Sequence, residues 1–118
     1  MEKPHKRLLA WQKSMEMVVM IYTLTKRFPK EEIYGLTSQL RRAAVSVPSN
    51  ISEGAAGRSI DQFKNFLGIA IGSLNEVSTQ LEIAWRVGYL DETASGEAQR
   101  LVDECLALTY GLIEVNRR

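Results

Sequence analysis

Apolar residues in one stretch of the chain recur in an unbroken alternation of four-residue and three-residue steps. The members of this series are Phe63, Leu67, Ala70, Leu74, Val77, Leu81 and Ala84. This spacing predicts one long helix with a continuous apolar stripe, which packs against other helices at shallow angles. Ser59 and Gln62 form a capping-box pattern before it, and Gly88 is placed to end it. A chain with such a helix needs partner helices that cover the stripe.

Three other segments show the same helical period. The first has two apolar lines, which are Leu8, Trp11, Met15, Val18 and Tyr22, and Met17, Ile21, Leu24 and Phe28. The second has the line Leu36, Leu40, Ala43, Val47 and Ile51, and the last has Leu101, Cys105, Leu108, Leu112 and Val115. We expect Pro29 to stop the first helix and Asp91 or Thr93 to cap the last. Pro48 predicts a kink or a split in the second helix, because proline removes one backbone hydrogen bond.

No segment shows the alternating pattern of a strand, and the connections are short. The predicted fold is therefore all-α, an antiparallel up-and-down four-helix bundle with helix 2 kinked near Pro48. The length fits a single domain, residues 1–118, in which residues 1–7 are expected to fray. Gly68 and Gly72 lie one turn apart on helix 3. We expect both to face a closely packed backbone, since glycine inside a helix costs about 1 kcal/mol against alanine.

Composition and the reactive residues exclude several classes of protein. Apolar residues make up 45% of the chain and charged residues 25%, with no stretch long and apolar enough to span a membrane and no secretory signal pattern. The single cysteine, Cys105, forms no internal disulfide, which fits a reducing cytoplasm. His5 is the single histidine, so the ligands of a di-metal bundle and a partner for a nucleophilic cysteine are missing. We expect no enzyme activity, no metal and no cofactor.

Charge is distributed unevenly, although the whole chain carries only +1. Residues 1–64 contain eleven lysines and arginines against six acidic residues, a net +5, and residues 65–118 have a net −4. One interpretation is that a basic half pairs with an acidic half, within one subunit or between copies. The other is a basic face that binds phosphate. The low total charge favours the first interpretation, because total charge steers a polyanion from a distance.

Helices 1 and 4 are apolar over a wider arc than one side of a bundle requires. A helix that is apolar over a wide arc is buried on more than one side. Either these wide stripes fill a thick core, or they are covered by other copies of the chain. We favour the second alternative and predict a homo-oligomer.

Polar residues recur at steps of three and four along helix 2 and have candidate partners on helix 3. The residues of this predicted polar network are Gln39, Arg42, Ser46, Asn50, Glu53, Ser73 and Glu76. The line is either a solvated face or an internal hydrogen-bonded network in which Arg42 pairs with Glu76 or Glu53. None of these carboxylates has a nucleophile or an oxyanion site beside it in the pattern, so catalysis is not predicted.

Several basic residues are candidates for contact with phosphate. They are Lys6, Lys13, Arg41, Arg42, Arg58 and Lys64. Residues 54–59 are interpreted as one helix end followed by the next helix start. The alternative is that Arg58 and the Ser59 hydroxyl bind phosphate at the start of helix 3. A ring-shaped oligomer would multiply each basic edge by symmetry, and nucleic-acid binding would then depend steeply on salt.

The stretch RRAAVSVPSNISEG, residues 41–54, resembles the signature of a bacterial four-helix-bundle family encoded in intervening sequences of large-subunit ribosomal RNA genes. Supporting matches are WQK at 11–13, FPKEE at 28–32, YGLTSQL at 34–40, FLGIA at 66–70, GSLNE at 72–76 and TQL at 79–81. The similarity covers residues 8–90 well and the last helix loosely.

This resemblance implies a bundle that assembles as a ring-shaped homopentamer, a cytoplasmic location and no known enzymatic activity. The family is similar to the accessory variability proteins of diversity-generating retroelements, whose basic pentameric barrels bind nucleic acid and a reverse transcriptase. By this analogy the basic residues contact RNA or DNA. Ile71 stands where the family commonly has a basic residue, and Ser52 replaces a common alanine. The first departure removes one candidate phosphate contact.

Two functions follow as predictions. The first is a non-enzymatic, homo-oligomeric accessory protein of the cytoplasm that associates with RNA or DNA. The alternative is a structural scaffold that recruits a protein partner, in which the charges serve contacts between subunits. Salt-dependent RNA binding favours the first function, and co-purification of a protein without nucleic acid favours the second.

Overall fold

Four helices make up the fold in the computed structural model, which describes residues 3–57 and 59–116. They are α1 (Leu9–Thr25), α2 (Leu36–Gly54), α3 (Ile60–Arg86) and α4 (Glu92–Val115). Short 3-10 turns, Pro4–Arg7 and Lys30–Glu32, lie before and after α1, and the described residues contain no strand. Each helix packs against the next along the chain, and α4 returns to α1. The predicted all-α, up-and-down four-helix bundle is confirmed.

The apolar stripe of α3 forms the centre of the core, as its spacing predicts. From Leu67 to Ala84 every member of the series is fully buried. Ser59 caps this helix: its Oγ accepts a hydrogen bond from the Gln62 backbone N–H at 3.2 Å, and the Gln62 side chain accepts one from the Ser59 N–H. Gly88, in the left-handed region with φ of 88°, follows the end of the helix. The predicted caps of this helix are therefore present.

Of the two apolar lines of α1, one enters the core and the other stays at the surface. The core line is Met17, Ile21, Leu24 and Phe28. The other line packs only partly: Trp11 and Val18 are half-buried, and Met15 and Tyr22 are each 40% exposed. Since a single bundle covers one line, α1 presents a second apolar stripe to its surroundings.

Pro48 lies inside α2 and is buried, and the helix continues beyond it to Gly54. The split considered from the sequence therefore does not occur, and the kink stays a prediction. Neighbouring side chains bond to the backbone around the proline. The Ser49 hydroxyl donates to the Val45 carbonyl at 2.8 Å, and Asn50 Nδ2 donates to the Ser46 carbonyl at 2.7 Å.

Glycine allows close packing of α2 against α3, though not at the positions expected from the sequence. A Cβ added at Gly54 would lie 2.8 Å from Phe66 Cβ and 2.9 Å from Phe63 Cδ1. At Gly68 and Gly72 an added Cβ would meet nothing within 4 Å. Both glycines lie on the exposed side of α3, so no described backbone of the subunit packs against them, and the close approach of a backbone from another copy stays a prediction.

The amino-terminal residues differ from the expectation that residues 1–7 fray. Residues 1 and 2 lie outside the described residues, whereas Pro4–Arg7 form one 3-10 turn. The His5 ring lies against the Trp11 ring with centroids 5.0 Å apart, and Gln12 Nε2 donates to the Lys6 carbonyl at 2.8 Å. These contacts hold the turn on α1. None of the described helices has both the length and the apolar character needed to cross a membrane.

Candidate nucleic-acid interface

A groove runs between the carboxyl-terminal half of α1 and the amino-terminal half of α2. Its first part has a volume of about 510 Å³ and is lined by Tyr22, Ile33, Thr37, Ser38, Arg41, Arg42, Val45 and Ser46. A second part of about 370 Å³ is lined by Thr25, Lys26, Phe28, Pro29, Lys30, Ile33, Thr37 and Arg41. Ile33, Thr37 and Arg41 line both parts, so they form one continuous surface, here called the basic groove.

The basic groove carries four cationic side chains: Lys26, Lys30, Arg41 and Arg42. Among its described lining residues none is acidic. The antiparallel arrangement explains this concentration of charge, because it brings the end of α1 beside the start of α2. Grouped positive charge attracts a polyanion over about a Debye length.

Arg41 is held in a defined position within the basic groove. Its Nε donates to Thr25 Oγ1 at 2.8 Å, and Thr25 Oγ1 donates in turn to the Ile21 carbonyl at 2.7 Å. The guanidinium carbon lies 4.6 Å from the centroid of the Tyr22 ring. An arginine has five N–H donors, and only Nε is engaged here among the described residues. The terminal groups of a pre-positioned guanidinium suit bidentate contact with phosphate.

One aromatic ring lies beside these charges. Tyr22 lines the groove with 40% of its surface exposed. Tyr34, which follows the lining residue Ile33 in sequence and is not itself a lining residue, is 94% exposed. Exposed rings next to cations are the usual platform for unstacked bases. The groove therefore combines cations with one partly exposed aromatic ring.

A second concavity, here called the polar cleft, lies between α2 and α3. Its volume is about 390 Å³, and it is lined by Gln39, Arg42, Ala43, Ser46, Ser73, Glu76 and Gln80. The Ser73 hydroxyl donates to the Ser46 hydroxyl at 2.8 Å, and Asn50 Nδ2 donates to the same Ser46 oxygen at 2.9 Å. The first bond crosses from α3 to α2, and the second lies within α2, so Ser46 is held from both sides at the cleft.

The structure brings together most of the predicted polar network but not its ion pair. Arg42 and Glu76 both line the polar cleft, yet no hydrogen bond or ion pair joins either of them to another described residue. Glu53 is exposed near the end of α2 and does not line the cleft. Buried Oε1 of Gln80 has no hydrogen-bond partner among the described residues. The cleft thus contains polar groups that the described part of the subunit leaves unpaired.

The predicted phosphate contacts do not form one surface. Arg41 and Arg42 lie in the basic groove, whereas Lys6 lies in the turn before α1 and Lys64 in the first turns of α3. Lys13 makes ion pairs of 3.6 Å with Glu16 and Glu104, so its charge is balanced within the subunit. Arg58 lies outside the described residues.

Sequence reasoning missed Lys26 and Lys30 as members of the interface. Both residues stand near Pro29, where α1 ends and the chain turns into α2. The sequence contains a signal for them. Cations near the end of one helix lie beside the start of the next helix when the two helices are antiparallel, and the first half of α2 carries Arg41 and Arg42. Of the predicted lysines, Lys6 lies in the turn before α1 and Lys13 in the first turns of α1, both far from this end of the helix.

An apolar groove continues from the basic groove along the same two helices. It has a volume of about 350 Å³ and is lined by His5, Trp11, Met15, Val18, Val45, Pro48, Ser49 and Ser52. Val45 lines both grooves, so one face of the molecule is basic at one end and apolar at the other. Leu9 and Val19, which are 61% and 64% exposed, extend the apolar surface of α1.

Glu32 ties the α1–α2 connection to the rest of the bundle. Its Oε1 accepts the Leu36 backbone N–H at 3.0 Å, and its Oε2 accepts the Tyr89 hydroxyl at 2.7 Å. The Leu36 bond first and the Tyr89 bond second lower the pKa of the Glu32 carboxyl, and the bond to Glu32 raises the pKa of Tyr89. This contact holds the segment that carries Ile33, an edge of the basic groove.

Two observations on the described residues concern a reactive thiol and a metal site. Burial raises the pKa of the Cys105 thiol to about 12, so it stays a neutral core group. Within the part of the chain that the structure describes, no three His, Cys, Asp or Glu side chains are grouped to hold a metal ion. The geometry supports binding through charge, aromatic contact and hydrogen bonding.

Comparison with known proteins supports the family resemblance. The family model for 23S rRNA-intervening sequence proteins matches residues 6–111. The chain is also similar to the crystal structure, at 1.70 Å, of a Bacteroides thetaiotaomicron protein of unknown function from the S23 ribosomal protein family. That likeness has a TM-score of 0.83 and 26% identity, over 89% of this chain and 98% of that chain. No curated protein matches significantly. The chain belongs to the family of 23S rRNA-intervening sequence proteins.

Proposed function

We propose that this protein is a non-enzymatic, homo-oligomeric accessory protein that binds single-stranded RNA or DNA through the basic groove. The observation that carries the proposal is the set of four cations on one continuous groove without an acidic neighbour among its described lining residues. Phosphate contacts supply most of the affinity in such complexes and make it dependent on salt.

The groove suits a single strand better than a duplex. Arg41 is fixed by Thr25 and the Tyr22 ring, so little side-chain entropy is lost when it meets a phosphate. Tyr22 and Tyr34 expose ring surface on which unpaired bases can stack. Bases of a duplex are already stacked on each other and offer no free face. RNA and DNA single strands share both the phosphates and the bases, and the 2′-hydroxyl distinguishes them.

Self-association is part of the proposal. The apolar groove and the exposed Leu9, Met15 and Val19 leave more apolar surface on α1 than the subunit core covers. A second copy seated on this surface would remove it from water. The family resemblance favours a homopentamer, in which each copy would add four groove cations and so offset the low charge of one chain.

The cellular setting is proposed with the function. A free, buried Cys105 fits a reducing compartment, and we place the protein in the cytoplasm. The similarity to the accessory variability proteins of diversity-generating retroelements supports a role beside a larger nucleic-acid-processing partner. Residues 41–54 carry the resemblance to the intervening-sequence family, and the relation of that family to the accessory variability proteins enters this proposal as an analogy of fold.

Filter binding with a short labelled RNA tests the nucleic-acid function. The variant Lys26→Glu with Lys30→Glu reverses two groove charges, and we expect it to weaken binding by about tenfold or more at low salt. The matched control, Lys3→Glu with Lys6→Glu, makes the same change of net charge near the start of the chain. The proposal is wrong if both variants bind as the unmodified protein does, or if both lose the same amount.

Sedimentation equilibrium tests self-association. Met15→Glu with Val19→Glu places charge on the exposed apolar stripe and is expected to yield monomers. The control, Glu97→Lys with Glu92→Lys on the exposed side of α4, changes charge elsewhere and should leave the oligomer intact. An unmodified protein that sediments as a monomer would contradict this part of the proposal.

A protein scaffold is the second candidate function. It is favoured by the apolar groove and by Tyr34, whose ring is 94% exposed and could anchor a protein partner. A protein that co-purifies without nucleic acid and is released by Tyr34→Ala would support the scaffold. Retention of RNA after extensive washing at low salt would support the basic groove instead.

A further inference from the structure

We infer that the polar cleft between α2 and α3 holds one unpaired guanine base of the strand that lies in the basic groove. This inference rests on the proposed function and adds a preference for one base to it. Arg42 and Ser46 line both the groove and the cleft, so the two surfaces meet along α2. A strand whose phosphate lies on Arg41 in the groove therefore passes beside Arg42 at the edge of the cleft.

The two surfaces differ in the part of a nucleotide that they can accept. The described lining residues of the basic groove include cations and no acid, which suits phosphate. The polar cleft contains the Glu76 carboxylate, which repels phosphate and accepts hydrogen bonds from neutral N–H groups. A base rather than a phosphate is therefore the part that fits the cleft. The volume of about 390 Å³ lies within the range of small-molecule sites, roughly 300–1,000 Å³.

Unpaired groups in the cleft define which base fits best. Glu76 and Gln80 lie one turn apart on α3, and both offer oxygen acceptors on the same wall. Gln80 Oε1 is buried and lacks a donor in the described subunit, a state that a ligand N–H would relieve. Across the cleft, the Arg42 guanidinium is free of ion pairs with described residues and supplies donors. The cleft thus has acceptors on one side and donors on the other.

Guanine has the complementary arrangement. Its Watson–Crick edge presents two adjacent donors, N1–H and the N2 amino group, beside the O6 acceptor, and N7 adds a second acceptor. Adenine, cytosine and uracil each present a donor at a single position of that edge. A carboxylate accepts both guanine donors, and an arginine donates to O6 and N7. Glu76 with Gln80 on one wall and Arg42 on the other therefore select guanine.

Two RNA strands of equal length, one with a central guanine and one without guanine, test the inference by filter binding. We expect the unmodified protein to bind the guanine strand about tenfold more tightly, the discrimination typical of one well-paired base. Glu76→Gln is expected to remove this preference while binding of the guanine-free strand is retained. Gln80→Leu fills the position of the unpaired oxygen with an apolar side chain of similar length and should reduce the preference without unfolding the protein.

Glu97→Gln, on the exposed side of α4, is the matched control, because it removes the same charge far from the cleft and should keep the preference. Equal binding of both strands by the unmodified protein overturns the guanine site and leaves the proposed function intact. A preference that survives in Glu76→Gln also overturns it. Failure of both strands to bind overturns the proposed function, and the guanine site with it.

Discussion

The basic groove and the polar cleft adjoin along α2, share Arg42 and Ser46, and differ in charge. The groove is lined by four cations and by no described acidic residue. In the cleft, Arg42 faces a wall that carries Glu76 and the amide of Gln80. One helix thus borders both a surface for negative charge and a surface for neutral hydrogen-bonding groups. A net charge of +1 conceals this division, because it averages over both.

The polar cleft lies where α2 packs against α3, and Gly54 permits close contact between these two helices at the end of α2. We expect Gly54→Ala to lower the free energy of unfolding by about 1–3 kcal/mol, since the added Cβ would overlap Phe63 and Phe66. Urea denaturation measures the change. Gly68→Ala is the control, because its Cβ meets open space and alanine favours the helix by up to about 1 kcal/mol. A destabilised Gly68→Ala, or an unaffected Gly54→Ala, would show that the two helices pack differently.

Salt dependence separates the two surfaces. The slope of log affinity against log salt for a single strand changes by about 0.7 for each phosphate contact, so Lys26→Glu with Lys30→Glu should flatten it by about 1.4. Between roughly 50 and 200 mM salt this difference amounts to about sevenfold in affinity. Glu76→Gln acts on the base and should leave the slope unchanged. A flatter slope in Glu76→Gln would show that phosphate, and not a base, occupies the cleft, and would contradict the difference between the two surfaces.

Arg41→Lys tests whether the fixed guanidinium is important beyond its charge. Lysine keeps the charge but loses the cation–π contact of the guanidinium with the Tyr22 ring and the Nε–H bond to Thr25. We expect affinity for RNA to fall by about fivefold, close to 1 kcal/mol, in the range of one exposed cation–π contact with its hydrogen bond. Arg27→Lys, at an exposed position outside the described lining of the groove, is the control. Equal losses in both variants would show that position in the groove is unimportant.

The smallest expected effect is on the pH dependence of stability, through Glu32 near the edge of the basic groove. The hydrogen bonds of Glu32 lower the pKa of its carboxyl in the folded protein below the ordinary glutamate value of about 4.5. Its stabilisation is therefore complete above about pH 4.5 and is lost as the pH falls through the lowered pKa. Glu32→Gln should remove this part of the acid dependence, and thermal unfolding from neutral pH to pH 3 measures it. An unchanged pH profile would show that the contact does not couple to folding.

Local patterns predicted the helices well because helical contacts are short in sequence. The series from Phe63 to Ala84, the capping box of Ser59 and the cap at Asp91, whose Oδ1 accepts the Ala94 N–H at 2.8 Å, all depend on residues three or four apart. The site was predicted only in part. Arg41 and Arg42 were identified, but Lys26 and Lys30 join them only because two helices run antiparallel.

The all-α class, the caps of α3 and α4 and the two apolar lines of the first helical segment follow from the sequence alone, since each depends on period and capping chemistry. The end of α1 at Thr25, four residues before Pro29, does not follow from it. Packing of the helices selects which apolar line is buried, which cations share a groove and which polar groups are left unpaired. These outcomes depend on how each helix rotates about its axis against its neighbours. A repeat of three and four residues leaves that rotation open whenever a helix carries two apolar lines, and packing selects one of them.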